Sequence, residues 1–375
     1  MRKHLLTALV LAFSNAAFAD RAVIAKPSDP TAARHVDLVI ALDTSGSMDG
    51  LIDSARQKLW DIVNLLGHAK PMPTLRVGLI SYGGTDGYDP ARGWVRTESD
   101  LTTDLDSIYA KLFALHTSGG DEYVARAVHV ASTEMSWSKE ANALKIVFVA
   151  GNEPATQDPR IPVTEAISEA RNHNIFVNTI YCGSETAEEA HGWRQAAALG
   201  HGQYASIDQN HVAVISTPMD AELGQLSQKL NQTYIAYGAL GAEKSANQAA
   251  QDRNAIASGP AAAPARAEAK ASSLYRADDW DLVDAKKSGK KIAEMTPAQL
   301  PEPMRHMKPE EREAFVGKKA KEREAIQKRI AELSQKRDAF IKTERANKAV
   351  SGQKGLDDAL SESIRGEAKS AGFSF

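Results

Sequence analysis

The chain has 375 residues and a formal net charge of −3, enough for one large domain with an appendage or for two domains. Its single cysteine, Cys182, excludes an internal disulfide, and only the extreme N-terminus carries an apolar segment, so no transmembrane span is expected in the mature chain. The charge is uneven: residues 20–239 hold 17 Lys and Arg against 27 Asp and Glu, and residues 240–375 hold 26 against 21. An acidic head therefore precedes a mildly basic tail, which could fold back on it or meet an anionic partner.

Residues 1–19 read as an export signal. Arg2, Lys3 and His4 supply the positive start, Leu5 to Phe13 the short apolar core, and Ala17-Phe18-Ala19 the small-x-small cleavage site, so that the mature chain begins at Asp20. A periplasmic or secreted location follows as the expectation. Residues 20–35 form an N-terminal extension.

From 36 to about 238 two periodicities alternate. Val36 to Leu42 is a nearly continuous apolar run, as expected of a strand buried on both faces. Leu51, Ala55, Leu59, Ile62, Val63 and Leu66 then fall at helical spacing, and Gly67 closes that stretch. Leu75–Tyr82, Leu144–Val149 and Ile175–Tyr181 read as further buried strands, with a short one at Gln203–Ile207. Helices are predicted over Leu105–Leu115, Tyr123–Met135, Pro162–His173, Ala187–Leu199 and Asp220–Tyr237. Such alternation predicts an α/β fold, a doubly wound and mostly parallel sheet.

Composition shifts to Ala, Lys, Glu, Asn and Gln after 239, and residues 239–273 are expected to be a flexible Ala-rich linker. A helical tail over 274–375 follows. Residues 274–285 carry Tyr275, Trp280, Leu282 and Val283 as apolar points of a short docking helix or peptide, and Thr296-Pro297-Ala298-Gln299 reads as a capping box. From Pro309 to about Lys348, Ile326, Ile330, Leu333 and Phe340 keep a heptad-like spacing with Arg337 at the missing core position, a candidate coiled coil over about 309–348. The tail is thus a candidate for self-association or a second partner.

The chemistry concentrates in "ALDTSGSMDG", residues 41–50. Asp43 ends the first buried strand, and Ser45 and Ser47 flank Gly46. One carboxylate and two hydroxyls are hard oxygen donors suited to a Mg²⁺-type octahedron that keeps waters or an open position. The competing reading is a helix cap, with Ser47 or Asp49 capping the helix from Leu51. No enzyme motif competes. Leu79 stands where a hydrolase Gly-x-Ser-x-Gly needs its first Gly, His129, His173, His191 and His201 lack metal-ligand spacing, and the Gly-rich stretch 83–90 lacks the Lys of a phosphate loop. That stretch reads as a rim loop, and Cys182 as buried and inert. The protein is not expected to be an enzyme.

"VDLVIALDTSGSM" followed by an amphipathic helix resembles the first motif of the von Willebrand factor A family with its metal-ion-dependent adhesion site, over roughly residues 36–235. The resemblance implies a doubly wound sheet and a Mg²⁺ ion, with Ca²⁺ or Mn²⁺ as alternatives, held by Asp43, Ser45 and Ser47. A second loop normally adds a Thr. Here "HTSGGDEYVARAV" (116–128) offers Asp121 or Glu122 as the ligand, with Thr117 as a remoter alternative. A third loop normally reads Thr-Asp-Gly-Glu, and here Gly151 takes the Asp position, leaving Asn152 and Glu153 behind the ring of ligands. The implied function is a secreted, metal-dependent protein-binding module of the adhesion or scaffold type, its ion taking a carboxylate from a partner protein. No nucleic-acid partner is expected. The alternative is a metal-independent scaffold with a degenerate site, whose helical tail carries the interaction.

Overall fold

A computed structural model describes residues 34–208, 215–347 and 356–375. The predicted export signal and the extension as far as residue 33 lie outside them. Six strands form one sheet, β1 (Arg34–Asp43), β2 (Pro73–Tyr82), β3 (Val95–Thr102), β4 (Leu144–Gly151), β5 (Ile175–Tyr181) and β6 (His201–Ser206), in the order β3-β2-β1-β4-β5-β6. All neighbours are parallel except β2 and β3. The helices of the head are α1 (Asp49–Gly67), α2 (Leu105–Ala114), α3 (Val124–Glu134), α4 (Val163–Asn172), α5 (Ala190–Leu199) and α6 (Asp220–Asn231). They are followed by α7 (Gly241–Ala257), α8 (Ala262–Ala271), α9 (Leu282–Lys287), α10 (Pro309–Asn347) and α11 (Leu356–Ser370).

Side chains alternate across the sheet and build two cores. Leu38, Ile40 and Leu42 of β1 join Ile146 and Phe148 of β4 beneath α1, α2, α8 and α11. Val39 and Ala41 join Ile80, Val147 and Val149 beneath α3, α4 and α5. Continuous apolar runs in β1 and β4 follow from burial on both faces. This is the doubly wound α/β fold expected from the alternation.

The strand order reverses beside β1, between β2 and β4. In such sheets the crevice outside the carboxyl ends of the strands at this reversal is the binding position. Asp43 is the last residue of β1 and Gly151 the last of β4, so the acidic-serine cluster lies at that crevice.

Three expectations give way. β3 was not foreseen, because "VRTESDLT" is an antiparallel edge strand whose side chains are mostly half-exposed and lack an apolar run. The flexible linker is instead α7 and α8. Alanines of strong helix propensity pack closely there, with Ala255, Ala262, Ala265 and Ala269 in the core beneath the sheet. The polar residues are satisfied by a buried network: Arg266 donates to Asp106 (2.6 Å) and Asp252 (2.5 Å), Lys270 donates to Asn231 (2.7 Å), and the Arg266 guanidinium lies 4.8 Å from the Trp60 ring centroid. The predicted coiled-coil seam is covered by its own chain. Ile330 and Leu333 are buried with Leu223 and Leu230 of α6 and Ala267 of α8, and Arg337 pairs with Asp220 at 3.1 Å.

The 274–285 segment is a run of turns leading into α9, tied to residues 235–237 through Leu282 N–H to Ile235 O (3.0 Å) and Tyr237 N–H to Trp280 O (2.8 Å). The capping box at Thr296 is present, on a single 3₁₀ turn over Pro297–Gln299. No helix among the described residues is long and apolar enough to cross a membrane.

Candidate metal centre

Asp43 is fully buried at the end of β1, and its Oδ1 accepts the Ser45 N–H at 2.8 Å. The chain then turns, with Met48 N–H bonded to Ser45 O (3.1 Å), and enters α1. The capping alternative fails here, since the N-cap residue is Met48 and no side chain caps the helix. Ser47 Oγ accepts from Asn152 Nδ2 at 3.1 Å, and Asp49 Oδ1 accepts from Thr117 Oγ1 at 2.7 Å.

The second loop brings one of its two acids to the site. Gly83, at φ +79°, leaves room where a Cβ would stand 2.9 Å from both Asp43 Oδ1 and Glu122 Cγ, so the stem of Glu122 and the Asp43 carboxylate meet over this glycine. The loop approaches this closely because position 120 is glycine: a Cβ there would lie 2.7 Å from Gly83 O. Asp121 turns away and accepts from Trp94 Nε1 (3.2 Å) and Tyr123 Oη (3.0 Å). Thr117 is held by Asp49. Of the second-loop candidates, Glu122 is therefore the one placed beside Asp43.

The third loop is altered for a steric reason. A Cβ on Gly151 would stand 2.5 Å from Tyr82 Oη and 2.9 Å from Asp43 Oδ2. Tyr82, at the end of β2 and fully buried, donates to Ala150 O at 2.8 Å. Its hydroxyl occupies the space that the Cβ of an aspartate at 151 would need. Asn152 reaches Ser47, as above, and Glu153 accepts from Gln157 Nε2 at 3.0 Å while its backbone carbonyl accepts from Trp193 Nε1 at 2.8 Å.

The electrostatics are those of several oxygens gathered at one buried point. Asp43 Oδ2, Ser45 Oγ and Asn152 Oδ1 are buried without a hydrogen-bond partner. The Ser45 hydroxyl lies near enough to Asp43 and Glu122 to pull both carboxyls down, yet the net shift of each is upward. Burial first, then the charges of Glu122 and Glu153, push the Asp43 carboxyl from its ordinary 3.8 up to about 7. Burial and Glu153 likewise raise Glu122. A donor set of carboxylate and hydroxyl oxygens, with orphaned buried oxygens among them, fits a hard divalent ion.

The rim was only partly legible. The stretch 83–90 does border the site, where Ser118 Oγ accepts the Thr85 N–H (2.8 Å) and Tyr88 Oη meets Thr44 Oγ1 (2.9 Å) and donates to Ser81 Oγ (2.7 Å). Tyr82 was missed. Its only sequence signal is an aromatic just before a Gly-Gly pair at a strand end, which flags crowding. Cys182 is buried, and burial pushes its thiol far up, away from nucleophilic chemistry.

Residues 37–210 match the family model of the von Willebrand factor type A domain, and the head has that domain's Rossmann-like fold. Among solved structures, proximal thread matrix protein 1 from the mussel byssus, with a zinc-occupied MIDAS motif, is similar at 13% identity, covering 46% of this chain and 42% of that one, with a TM-score of 0.37. The SpRpn10 VWA domain is similar at 14% identity over 48% of this chain and all of that one (TM-score 0.37). The pilus adhesin SpaC from Lactobacillus rhamnosus GG is similar at 15% identity over 47% and 28% (TM-score 0.36). The chain spans less than half the length of the mussel protein. No curated protein matches it.

Proposed function

We propose that the head is a metal-dependent protein-binding module, exported to the periplasm or secreted, and that it is not an enzyme. Asp43, Ser45, Ser47 and Glu122 would hold a divalent ion, Mg²⁺ by the hardness of the oxygens, with Ca²⁺ or Mn²⁺ as alternatives. The ion would supply an electrophilic position for an oxygen donor, a carboxylate in the simplest case, of another protein. The observation that carries the reading is the pair of buried, unpartnered atoms Asp43 Oδ2 and Ser45 Oγ beside Glu122 at the strand ends. Buried polar atoms are normally satisfied, and a cation would satisfy these.

The protein's own groups prepare the site. The Ser45 N–H fixes Asp43, Asn152 Nδ2 orients Ser47, and Tyr82 walls off the third-loop side. The loops 83–94, 117–123 and 151–160 would form a rim that selects the partner. The export signal in residues 1–19 supports the location. The metal-free scaffold reading, with the tail as the interacting part, is weakened by the tail's covered stripe, since Ile330 and Leu333 have their partners within the chain.

The test is capture of proteins from an envelope extract on the immobilised full chain, with Mg²⁺, with EDTA, and with Asp43→Ala. A protein retained only by the wild type with Mg²⁺ supports the clamp. Capture indifferent to both EDTA and the substitution overturns it.

A further inference from the structure

A second set of ligands lies far from Asp43 in the fold, where the head meets the tail. His68 follows the last residue of α1, Glu268 lies on α8 and Asp338 on α10. One ligand atom from each, an imidazole nitrogen and two carboxylate oxygens, lies within 4.8 Å of the others. His68 Nε2 is already 3.2 Å from Glu268 Oε1, close to the ~3.3 Å ligand-to-ligand edge of a tetrahedron built on Zn–N and Zn–O bonds of about 2.0–2.1 Å. We propose that His68, Glu268 and Asp338 form a second divalent-metal site, for a borderline ion of the Zn²⁺ class, that staples α10 to α1 and α8.

The donor chemistry separates this site from the first. Imidazole with two carboxylates suits Zn²⁺ or a neighbouring transition metal, whereas the all-oxygen set around Asp43 suits Mg²⁺. Two carboxylates and a neutral imidazole match the charge of a divalent ion. His68 sits at the negative end of the α1 dipole, which favours a cation there. Basic side chains also line the cavity, Lys342 and Arg345 among them; three have partners of their own, Lys58 with Asp61 at 3.5 Å, Arg337 with Asp220 at 3.1 Å, and Arg365 over the Phe375 ring at 4.9 Å.

An independent observation comes from Asn64, one turn before His68. It lines the same cavity of about 450 Å³. Its Nδ2 donates to Ala265 O at 2.9 Å, but its Oδ1 is buried without a donor. With three protein ligands, the fourth position of the ion would open on that cavity, where a water or a small anion can complete the shell.

The experiment is equilibrium dialysis of the full chain against Zn²⁺, read by elemental analysis, in an Asp43→Ala background that removes the first site. The expected result is one Zn²⁺ per chain, at least about tenfold weaker in His68→Gln and in Asp338→Asn, since even outer partners of a metal site are worth about 10–100-fold. Zn²⁺ should also slow amide exchange in the α10 turns around Asp338, and not in the two variants. His68 and Asp338 are both exposed at the surface, and far-UV circular dichroism checks that both variants fold. No Zn²⁺ on the Asp43→Ala chain, or undiminished affinity in both folded variants, overturns the proposal.

Discussion

Asp43 combines two properties that rarely coexist at equilibrium: full burial and a neighbourhood of like charge. In the cation-free chain its carboxyl stays protonated to about pH 7, while in the unfolded chain it ionises near its ordinary 3.8. Between those values the unfolded state binds fewer protons than the folded one, so stability falls as pH rises through the window and levels off above it. Three pH units correspond to about 4 kcal/mol. Asp43→Asn keeps an acceptor for the Ser45 N–H and removes the charge. In EDTA it is expected to be more stable than the wild type at pH 8 by a few kcal/mol, with the difference vanishing near pH 4, as urea denaturation at the two pH values would read. A variant less stable at pH 8 would contradict the charge argument. Gly151 offers a second test at this scale. Restoring aspartate, Gly151→Asp, should cost about 1–3 kcal/mol by overpacking against Tyr82. Adding Tyr82→Phe, which removes the obstructing Oη, should recover part of that cost in a double-mutant cycle of melts.

The elements around the site differ in how openly the sequence declares them. β1, β4 and β5 are continuous apolar runs because both faces are covered, and α1 shows its buried stripe plainly. β3 has one open edge and a polar sequence, so nothing in its periodicity marks it. In α7 and α8 the buried face is alanine with Gln248, Gln251, Arg266 and Lys270, a pattern that hydropathy reads as solvated. Only the tertiary partners Asp106 and Asp252 reveal why those polar residues are inside. The same holds at the site. Asp43, Ser45 and Ser47 are legible because they are adjacent in sequence. The choice of Glu122 over Asp121, and the exclusion of an acid at 151 by Tyr82, depend on loops that meet only in the fold. If α7 and α8 are integral, Arg266→Ala should be severe. It removes the cation from buried Asp106, while Asp252 keeps Lys270 (2.8 Å), and the loss of one partner of a buried ion pair costs about 3–5 kcal/mol. A thermal melt indistinguishable from wild type would return this segment to the status of a linker.

At the scale of the whole molecule, head and tail are packed together. α11 places Leu360, Ile364 and Ala368 beneath the sheet, and the final residues return to the start of the fold, with Arg34 Nη1 donating to Ala371 O (3.1 Å) and Ser374 exchanging backbone bonds with Lys70 (2.7 and 2.9 Å). The acidic head meets the basic tail through pairs such as Arg337–Asp220 and Arg329–Glu222, one destination for the charge asymmetry seen in the sequence. The crevice that holds Asp43 lies at the carboxyl ends of β1 and β4, framed by loops. The function proposed for the head requires a cation at Asp43. The measurement that tests this most directly is the thermal melt of the full chain in EDTA and in excess Mg²⁺, Ca²⁺ or Mn²⁺, beside Asp43→Ala. At 100 times its dissociation constant an ion bound only by the folded state adds about 2.7 kcal/mol. A metal-dependent rise in Tm in the wild type that Asp43→Ala lacks is the predicted result, and an equal or absent response in both chains would contradict it.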